Sequence, residues 1–497
     1  MAGPQLHRDS LRCQCLPVAV GVPDDAVVGV GASRPIAGTR RDGPGTDGPL
    51  RVALLGYRAD PRCGGQGVYL RQLSRALVRA GHLVTVLAGP PYPELDPGVG
   101  YVPLPSLGWN PPPTGATAPV PRRSVRSWPD VVEAGYSWSG RFGEPAGFAR
   151  RVRRALGEVP GGVDVVHDNQ SLGRGLTRLA RDGWPVVATV HHPLAVDRRA
   201  ALEACADRRQ EAWVRRWWSF VDVQAGVARS LPLVLTVSGS SAAGIVDEMG
   251  VAPERLAIVP VGVDPDTFRP DPTVTRVPGR LVAISSADVP LKGLVHLVEA
   301  MAVLRQDVPH AHLVVVARVG PSGAVAEALR RRDLGDAVRF VSGLDEAELV
   351  ALHQEAEVSV VPSLYEGFSL PAVEAMACAT PVVATTGGAL PEVVGTDGRS
   401  GLLVPPADPV ALARAIGTLL ADRDRRSAMG AAARTRVLER FTWERCADGT
   451  VAAYRGVLAD RGHRSPASLA ATRELVGPAR VDGWSGDPHW SWCERYL

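Results

Sequence analysis

Short apolar runs alternate with helical segments along most of this 497-residue chain. Runs such as 50–56, 83–88 and 312–316 are almost wholly apolar, which is typical of strands buried on both faces of a parallel sheet. The helical segments between them indicate crossover connections rather than hairpins. The alternation predicts an α/β fold, and the length predicts two or more domains, because it exceeds that of one ordinary domain.

The apolar runs fall into two groups that share this alternation without a visible sequence repeat. We expect a first domain over 50–237, a second over 238–430 and closing helices over 431–460. The strands expected in the second half lie near 256–260, 281–285, 312–316, 338–341, 358–361 and 381–384.

Three segments break the pattern. Residues 1–49 are rich in Gly, Pro, Asp and Arg and predict a disordered extension. The Pro- and Trp-rich stretch 90–145 predicts an irregular segment with a function of its own, because it is long for a plain connection. Residues 461–497 predict an appended tail, whose tryptophans would dock on the surface.

Composition excludes several classes of protein. A net charge of +3 is too small to indicate a nucleic-acid partner, and no apolar run reaches the length of a membrane span. The chain does not open with a signal-peptide pattern, so a cytoplasmic protein is expected. Seven cysteines, an odd number without C-x-x-C spacing, argue against a disulfide framework or a zinc site.

Two carboxylates flank a predicted strand-to-helix turn in the second half. The run 358–362 predicts a short buried strand, and Pro371 is well placed in the first turn of a helix, where its missing N–H costs nothing. Glu366 then lies on the loop at the carboxyl end of the strand, and Glu374 lies within the first turn of the helix. Ligands of open α/β sheets bind at that edge, and a helix N-terminus there attracts an anion.

The letters around this turn, E-G-F-S-L-P-A-V-E-A-M-A followed by P-V-V-A, resemble the E-x7-E signature of the retaining glycosyltransferases of family 4. The resemblance covers roughly 50–458. It implies a GT-B fold, in which two Rossmann-like, doubly wound parallel-sheet domains face each other across a cleft. It further implies that Glu366 and the amides of Phe368, Ser369 and Leu370 hold the donor sugar, and that Glu374 holds the nucleotide ribose.

Lys292 is the single lysine among the 55 lysine and arginine residues. It follows the predicted strand 280–285 and precedes a helix rich in Leu, Val and Ala. A compact ammonium suits a phosphate in a tight pocket differently from a planar guanidinium. The family has a Lys-Gly here that contacts the donor diphosphate, so the resemblance implies the same role for Lys292.

A glycine loop lies between the first predicted strand and the first predicted helix. Small residues allow backbone amides to approach a phosphate closely at a helix N-terminus. The family also has a glycine loop at this place, so we expect donor contact from Gly64, Gly65, Gln66 and Gly67.

Histidines end two predicted strands of the first domain. By the resemblance, His191 is the family's histidine that contacts the donor sugar near the reacting centre, and His192 is a candidate for the acceptor. The upstream strand ends in His167, Asp168 and Asn169, which are further candidates for the acceptor side.

The chain departs from the family pattern before the Lys-Gly. Many members carry a Gly-Arg there, whereas this chain has Ser286 and Ala287 and lacks that positive charge. We expect Arg318, at the end of the strand 312–317, to reach the diphosphate instead.

Two further motifs have structural explanations. Asp264-Pro-Asp266 fits a D-x-D metal pattern, but it follows a segment that resembles the family's interdomain loop, so no metal is expected. The predicted helix over 203–220 carries aromatic residues with arginines nearby. Its spacing favours a core or acceptor-pocket role and leaves weak peripheral membrane contact open as an alternative.

These features predict an enzyme that moves a hexosyl group from a UDP-, GDP- or ADP-sugar to a hydroxyl acceptor with retention. The nucleotide sugar is a co-substrate, and no cofactor is expected. Two alternatives stay open: a GT-B-like sugar-nucleotide epimerase, and a sugar-nucleotide-binding protein that lost its activity.

Overall fold

The computed structural model describes residues 48–61, 65–107, 125–203, 205–285, 289–317 and 323–462. The predicted N-terminal extension up to residue 47, the tail from residue 463 onward, and 286–288 lie outside the described residues. Gly64 and Arg318 lie outside them as well.

The first sheet contains seven parallel strands within the described residues, in the order 3-2-1-4-5-6-7. Every residue of the fourth and fifth strands is buried, as expected where helices cover both faces of a sheet. The strands are β1 Arg51–Gly56, β2 Leu83–Ala88, β3 Gly100–Pro103, β4 Val165–Asn169, β5 Val186–Val190, β6 Leu233–Thr236 and β7 Leu256–Ile258. The helices among them are α1 Gly65–Arg79, α2 Trp128–Trp138, α3 Glu144–Leu156, α4 Arg174–Arg181, α5 Ala195–Glu203, α6 Arg208–Trp217, α7 Phe220–Ser230 and α8 Gly239–Met249.

The second sheet contains six parallel strands within the described part of the chain, in the order 10-9-8-11-12-13. They are β8 Arg280–Ile284, β9 His312–Val316, β10 Val338–Val341, β11 Val358–Val361, β12 Val382–Thr385 and β13 Leu402–Val404. The helices that follow β8 are α9 Leu294–Asp307, α10 Ala324–Arg332, α11 Glu346–Glu355, α12 Leu370–Ala377, α13 Leu390–Val394, α14 Pro409–Ala421, α15 Arg423–Arg440 and α16 Trp443–Gly462.

Both sheets reverse their strand order at an equivalent place. In the first sheet the reversal lies between β1 and β4, and in the second between β8 and β11. The crevice outside the carboxyl ends of the strands at such a reversal is the ligand site of doubly wound sheets. The predicted α/β fold is therefore confirmed, and its geometry singles out two places for a ligand.

Three details differ from the sequence predictions. The strand that was expected to start the second half, β7, pairs with β6 at the edge of the first sheet, so this sheet extends past the expected boundary at 238. The stretch 90–145 is not irregular throughout, because it contains β3 and α2. The helix expected over 203–220 ends at Trp217, and α7 begins at Phe220.

The final helix of the described residues returns to the first sheet. Trp443, at the start of α16, has its ring centroid 6.0 Å from that of Tyr69 on α1. Farther along α16, the fully buried Tyr454 bonds His167 through its hydroxyl. These contacts place α16 against α1 in one hydrophobic cluster.

The aromatic side chains near the α6–α7 junction pack inward. Trp217 and Phe220 contact Phe142, with ring centroids 5.4 and 5.0 Å away. Burial of these aromatic faces favours the packing explanation of their spacing. Within the described ranges, every helix is too short or too polar to span a membrane.

Candidate active site at the two switch points

Glu366 lies on the loop that leaves the carboxyl end of β11, at the switch point of the second sheet. Its Oε1 accepts hydrogen bonds from Lys292 Nζ at 2.8 Å and from Ser363 Oγ at 2.7 Å. Its side chain is 12% exposed, so the carboxylate is largely withdrawn from water. The ion pair therefore joins two of the charged residues that were expected to bind the donor.

The turn that carries Lys292 is held close to β11. The amide of Leu364 donates to the carbonyl of Leu291 at 2.8 Å. Gly293 has a φ of +64°, and a Cβ there would overlap the carbonyl of Pro362. Only glycine fits this left-handed position at such a close approach, which explains the Lys-Gly pair in physical terms.

The helix after the Glu366 loop begins as predicted, with Pro371 in its first turn. Ser369 precedes the helix with φ +90°, which is unusual for a residue other than glycine. Its hydroxyl is buried and makes no hydrogen bond to any described residue. Phe368 is buried against Phe441, with ring centroids 5.5 Å apart, and so anchors the loop.

Glu374 lies in the second turn of α12, beside α11, rather than in the predicted first turn, because the helix begins at Leu370. Its side chain is 14% exposed, and its Oε2 lies 4.0 Å from Nε2 of the fully buried His353. Burial and the charge of Glu346 raise the pKa of the Glu374 carboxyl to about 7. Hydrogen bonds from the hydroxyl groups of a ligand would stabilise the ionised form of this carboxylate.

His191 ends β5 in the first sheet, and Asn169 ends the neighbouring β4. His191 Nε2 lies 2.7 Å from Asn169 Oδ1, and Asn169 Nδ2 donates to the carbonyl of Gln66 at 2.9 Å. The ring of Tyr69 stands edge-on to the imidazole, with centroids 4.7 Å apart. Burial and His192 lower the pKa of His191 to about 3, so the imidazole is neutral at pH 7.

The Glu366 loop touches the end of β5. The carbonyl of Gly367 accepts from Ser238 Oγ at 2.7 Å, and Ser241 Oγ donates to the carbonyl of His191 at 2.9 Å. A Cβ on Gly367 would lie 2.7 Å from that same carbonyl oxygen. The structure thus brings the backbones of His191 and the Glu366 loop together from two different sheets.

Glu392, at the start of α13, also joins the two sheets. Its carboxylate accepts from the amides of Gly239 and Ser240 at 2.7 and 2.8 Å, where α8 begins. A carboxylate is stabilised by the free amides and the dipole of a helix N-terminus. Glu392, Ser363, His353 and Gly367 were not predicted as site residues. Of these, Gly367 alone carries a sequence signal, because a glycine beside Glu366 indicates a close backbone approach.

Two acceptor candidates are corrected by the structure. His167 is fully buried, and its ring nitrogens bond Tyr454 Oη at 2.6 Å and Thr189 Oγ1 at 2.7 Å. Asp168 is also fully buried, and it accepts from Ser171 Oγ and from the amide of Leu172. Protein partners satisfy both side chains, so neither faces an acceptor. Asn169, the third candidate of this strand, is also buried, and its amide is bonded to His191 and Gln66.

The remaining candidates of the first sheet lie near the crevice. His192 is about one-third exposed, and its Nε2 lies 2.8 Å from Asp197 Oδ2. Gly65, Gln66 and Gly67 belong to the first turn of α1 rather than to a loop before it. Gly67 is needed for packing, because a Cβ there would overlap the carbonyl of Asp60.

The D-x-D pattern has a structural role. Asp264 forms an ion pair with Arg75 of α1, and its Oδ1 accepts from the amide of Asp266 at 3.1 Å. Within the described residues, no group of three His, Cys, Asp or Glu side chains is arranged to hold a metal ion.

Two family models together match most of the chain. "Glycosyltransferase Family 4" matches residues 63–267, and "Glycosyl transferases group 1" matches residues 272–436. The first range spans β2 to β7 of the first sheet, and the second spans all six strands of the second sheet.

Curated relatives match nearly over their full lengths. An MMP alpha-(1->4)-mannosyltransferase of Mycolicibacterium hassiacum is 46% identical over 411 residues, which are 82% of this chain and 99% of the relative. A D-inositol 3-phosphate glycosyltransferase of Geodermatophilus obscurus is 33% identical over 469 residues, which are 87% of this chain and 94% of that protein.

Solved structures share the architecture. A sucrose-phosphate synthase from Thermosynechococcus elongatus superposes with a TM-score of 0.60 at 26% identity, covering 82% of this chain and 99% of its own. The Anabaena protein HepE, solved in complex with UDP and glucose, gives 0.59 at 18% identity and covers 81% of this chain and 99% of its own. The two-sheet architecture, the E-x7-E turn and these relatives show that the chain belongs to the group 1, family 4 glycosyltransferases of GT-B fold.

Proposed function

We propose that this enzyme transfers a mannosyl group from a nucleotide-diphosphate sugar to a hydroxyl of a sugar acceptor, with retention at the anomeric carbon. The observation that carries the proposal is the Lys292–Glu366 pair at the switch point of the second sheet, on a loop that contacts His191 beside the switch point of the first. The mannosyl specificity is supported by the relative that is 46% identical and named a mannosyltransferase.

The donor would lie along the carboxyl ends of β8 and β11. Lys292 and the first amides of α12 would stabilise the charge that develops on the leaving diphosphate, as oriented donors do in a water-poor site. Glu366 would accept hydrogen bonds from the sugar hydroxyls, and Glu374 from the ribose.

The two glutamates would bind one ligand rather than act as a hydrolytic pair. Glycosidases place two carboxyl groups on opposite sides of the scissile bond. Glu366 and Glu374 instead belong to one loop and the helix that follows it, and Glu366 is bonded to Lys292. Retention would then come from a same-face substitution in which the leaving phosphate takes the acceptor's proton.

His191 would contact the donor sugar near the reacting carbon. It is neutral, and its Nε2 already pairs with Asn169, so we assign it a binding role rather than that of a general base. The contact between Gly367 and the end of β5 would exclude water from the reacting carbon and so suppress donor hydrolysis.

We further propose that transfer needs no metal ion. The first carboxylate of the D-x-D pattern is occupied by Arg75. Lys292 and the helix N-terminus would provide the positive potential for the diphosphate, together with Arg318 as expected from the sequence.

Donor binding is the first test. Calorimetry with GDP-mannose, UDP-glucose and ADP-glucose should show that the wild type binds one of the three nucleotide sugars. The affinity of Glu374→Ala for that donor should be strongly reduced. Turnover on mannoside acceptors, with D-inositol 3-phosphate as the alternative acceptor, should follow, with the product's anomeric configuration read by NMR. Absence of binding by every donor would refute the proposal.

The other outcomes separate the alternative functions. Conversion of the sugar nucleotide without an acceptor would indicate an epimerase. Donor binding without turnover on any acceptor would indicate a sugar-nucleotide-binding protein. Loss of turnover on treatment with EDTA would refute metal independence alone.

A further inference from the structure

His353 is a fully buried imidazole without a hydrogen bond. It lies on α11 with 0% exposure, and neither ring nitrogen has a partner among the described residues. Its backbone carbonyl accepts from Thr380 Oγ1 at 2.6 Å, which fixes the backbone at this point. A buried polar group without a partner is costly and indicates that a partner arrives with a ligand or a small movement.

The nearest acidic group to this imidazole is Glu374. Its Oε2 lies 4.0 Å from His353 Nε2, about 1 Å beyond hydrogen-bond length. Among the described residues, no hydrogen-bond donor contacts the Glu374 carboxylate. An unpaired buried imidazole and a carboxylate without a protein donor therefore lie close together in the described part of the chain.

The pKa values of His353 and Glu374 favour a hydrogen bond between the two side chains over an ion pair. Burial and Arg276 lower the pKa of His353 to about 3, whereas burial and Glu346 raise that of Glu374 to about 7. Both shifts favour the neutral forms. A neutral imidazole still carries one N–H that can be donated to a carboxylate.

The imidazole has little freedom to turn elsewhere. The ring of Phe268 stands edge-on to it, with centroids 6.3 Å apart. The glutamate side chain, in contrast, has several rotatable bonds and is 14% exposed. The movable partner that can close the gap is therefore Glu374.

We propose that His353 is a positioning residue, whose Nε2–H holds the Glu374 carboxylate in the orientation that accepts the ribose hydroxyls of the nucleotide. The inference rests on the ribose-binding role proposed for Glu374. Because the two atoms lie 4.0 Å apart in this structure, the hydrogen bond would form as the nucleotide binds, and it would then hold the carboxylate toward the ribose and give the imidazole a partner.

Matched variants at position 353 separate this role from simple packing. His353→Gln keeps an N–H donor close to the position of Nε2, and His353→Leu removes it at a similar volume. Calorimetry with GDP and UDP, each compared with its 2′,3′-dideoxy analogue, reads the contribution of the ribose hydroxyls.

We expect His353→Leu to weaken binding of the preferred ribonucleotide about five- to twentyfold, and His353→Gln to stay within about twofold of the wild type. The loss should disappear with the dideoxy analogue, and it should also disappear in a Glu374→Gln background. The KM for the acceptor should not change.

Thermal unfolding provides an independent readout. His353→Leu removes an unpaired buried polar group, so the ligand-free variant should melt at the same temperature as the wild type or higher. A purely structural role predicts a lower melting temperature and equal losses for the ribose and dideoxy ligands, and that result would overturn the inference.

Three outcomes of these binding experiments separate the positioning role of His353 from the proposed function. Wild-type binding that is lost in Glu374→Gln but unchanged in His353→Leu rejects the positioning role alone. Wild-type binding that is unchanged in Glu374→Gln rejects the role of Glu374, and the inference with it. No binding of either nucleotide to the wild type rejects the glycosyltransferase proposal itself.

Discussion

Lys292 Nζ lies 2.8 Å from Glu366 Oε1, although 74 positions separate the two residues in the chain. The pair joins the turn after β8 to the loop after β11, at the switch point of the second sheet. Removal of either partner would leave a largely buried charge without its counter-ion, which is costly. A donor bound at this switch point would replace the contact between Lys292 and Glu366 with contacts from each residue to the ligand.

Lys292→Met should reduce kcat about 100- to 1000-fold, because it removes the positive charge that would face the leaving diphosphate. Lys292→Arg is the matched control, since it keeps the charge but has a planar, wider group, and it should recover only part of the activity. Steady-state kinetics with the preferred donor measure both. Wild-type kcat in Lys292→Met would show that the lysine does not act on the leaving group.

Gly367→Ala should reduce turnover at least tenfold while the protein stays folded. The new Cβ would lie 2.7 Å from the carbonyl oxygen of His191 and 3.2 Å from Cβ of His192. The loop would have to move away from His191, and small displacements of reacting groups lower the reaction rate strongly. Gly226→Ala on α7, whose Cβ meets its first atom at 3.9 Å, is the control and should keep full activity. Equal kinetics for the two variants would contradict the prediction.

Ser369→Gly should raise the free energy of unfolding by about 0.5–1 kcal/mol, because glycine relieves the strain of a φ of +90°. Ala379→Gly, at φ +52° and outside the site, should give a gain of similar sign. Urea unfolding measures both changes. Donor affinity should change only in Ser369→Gly, whose buried hydroxyl is unpaired among the described residues. A loss of stability in Ser369→Gly would refute the strain argument.

Tyr454→Phe should destabilise the fold by about 1–3 kcal/mol, because it leaves a buried nitrogen of His167 without its partner. Activity below the unfolding transition should stay near the wild-type level, since His167 does not face the crevice. Tyr92→Phe, at a tyrosine that is 44% exposed, is the control for the loss of a hydroxyl. A higher acceptor KM with unchanged stability would restore the acceptor role of His167.

Stability should depend on the charge of Glu374. Its folded pKa of about 7 lies above its ordinary value of 4.5, so the protonated form favours the folded state. The stabilisation is fully present below pH 4.5 and is lost as the pH rises through 7. Relative to Glu374→Gln, which does not titrate, the wild type should lose on the order of 2–3 kcal/mol between pH 4.5 and 8.

Denaturation of both proteins at several pH values measures this difference. A constant difference across the range would contradict the raised pKa. Donor affinity should change in the opposite direction, rising with pH through 7, because the ionised carboxylate is the better acceptor of hydroxyl hydrogen bonds.

Periodicity located most strands within two residues, and β9, β10 and β11 agree with the expected ranges. It missed β3 and β13, which lie at sheet edges and, at four and three residues, are too short to show a periodicity. The boundary at 238 was misplaced for a related reason. A parallel strand at an edge resembles the first strand of a new domain until its hydrogen-bond partner is known.

The candidate site also contains residues that the sequence predicts and one that it does not. Glu366, Glu374 and Lys292 could be selected from motif and composition, because each lies at a strand or helix end that the local pattern predicts. His353 could not, because its proximity to Glu374 depends on how α11 packs beside α12.

The sequence by itself determined the alternation of strands and helices, the family and the loop that carries the two glutamates. These are local properties, set by the periodicity of apolar residues and by Gly and Pro at turns. Only the tertiary structure decided which strand-end side chains face the crevice. His167 lies within β4, and His191 directly follows the neighbouring β5, yet Tyr454 of α16 bonds the first, whereas the second lies beside the Glu366 loop. Such partners come from distant parts of the chain, and local sequence patterns do not predict contacts between them.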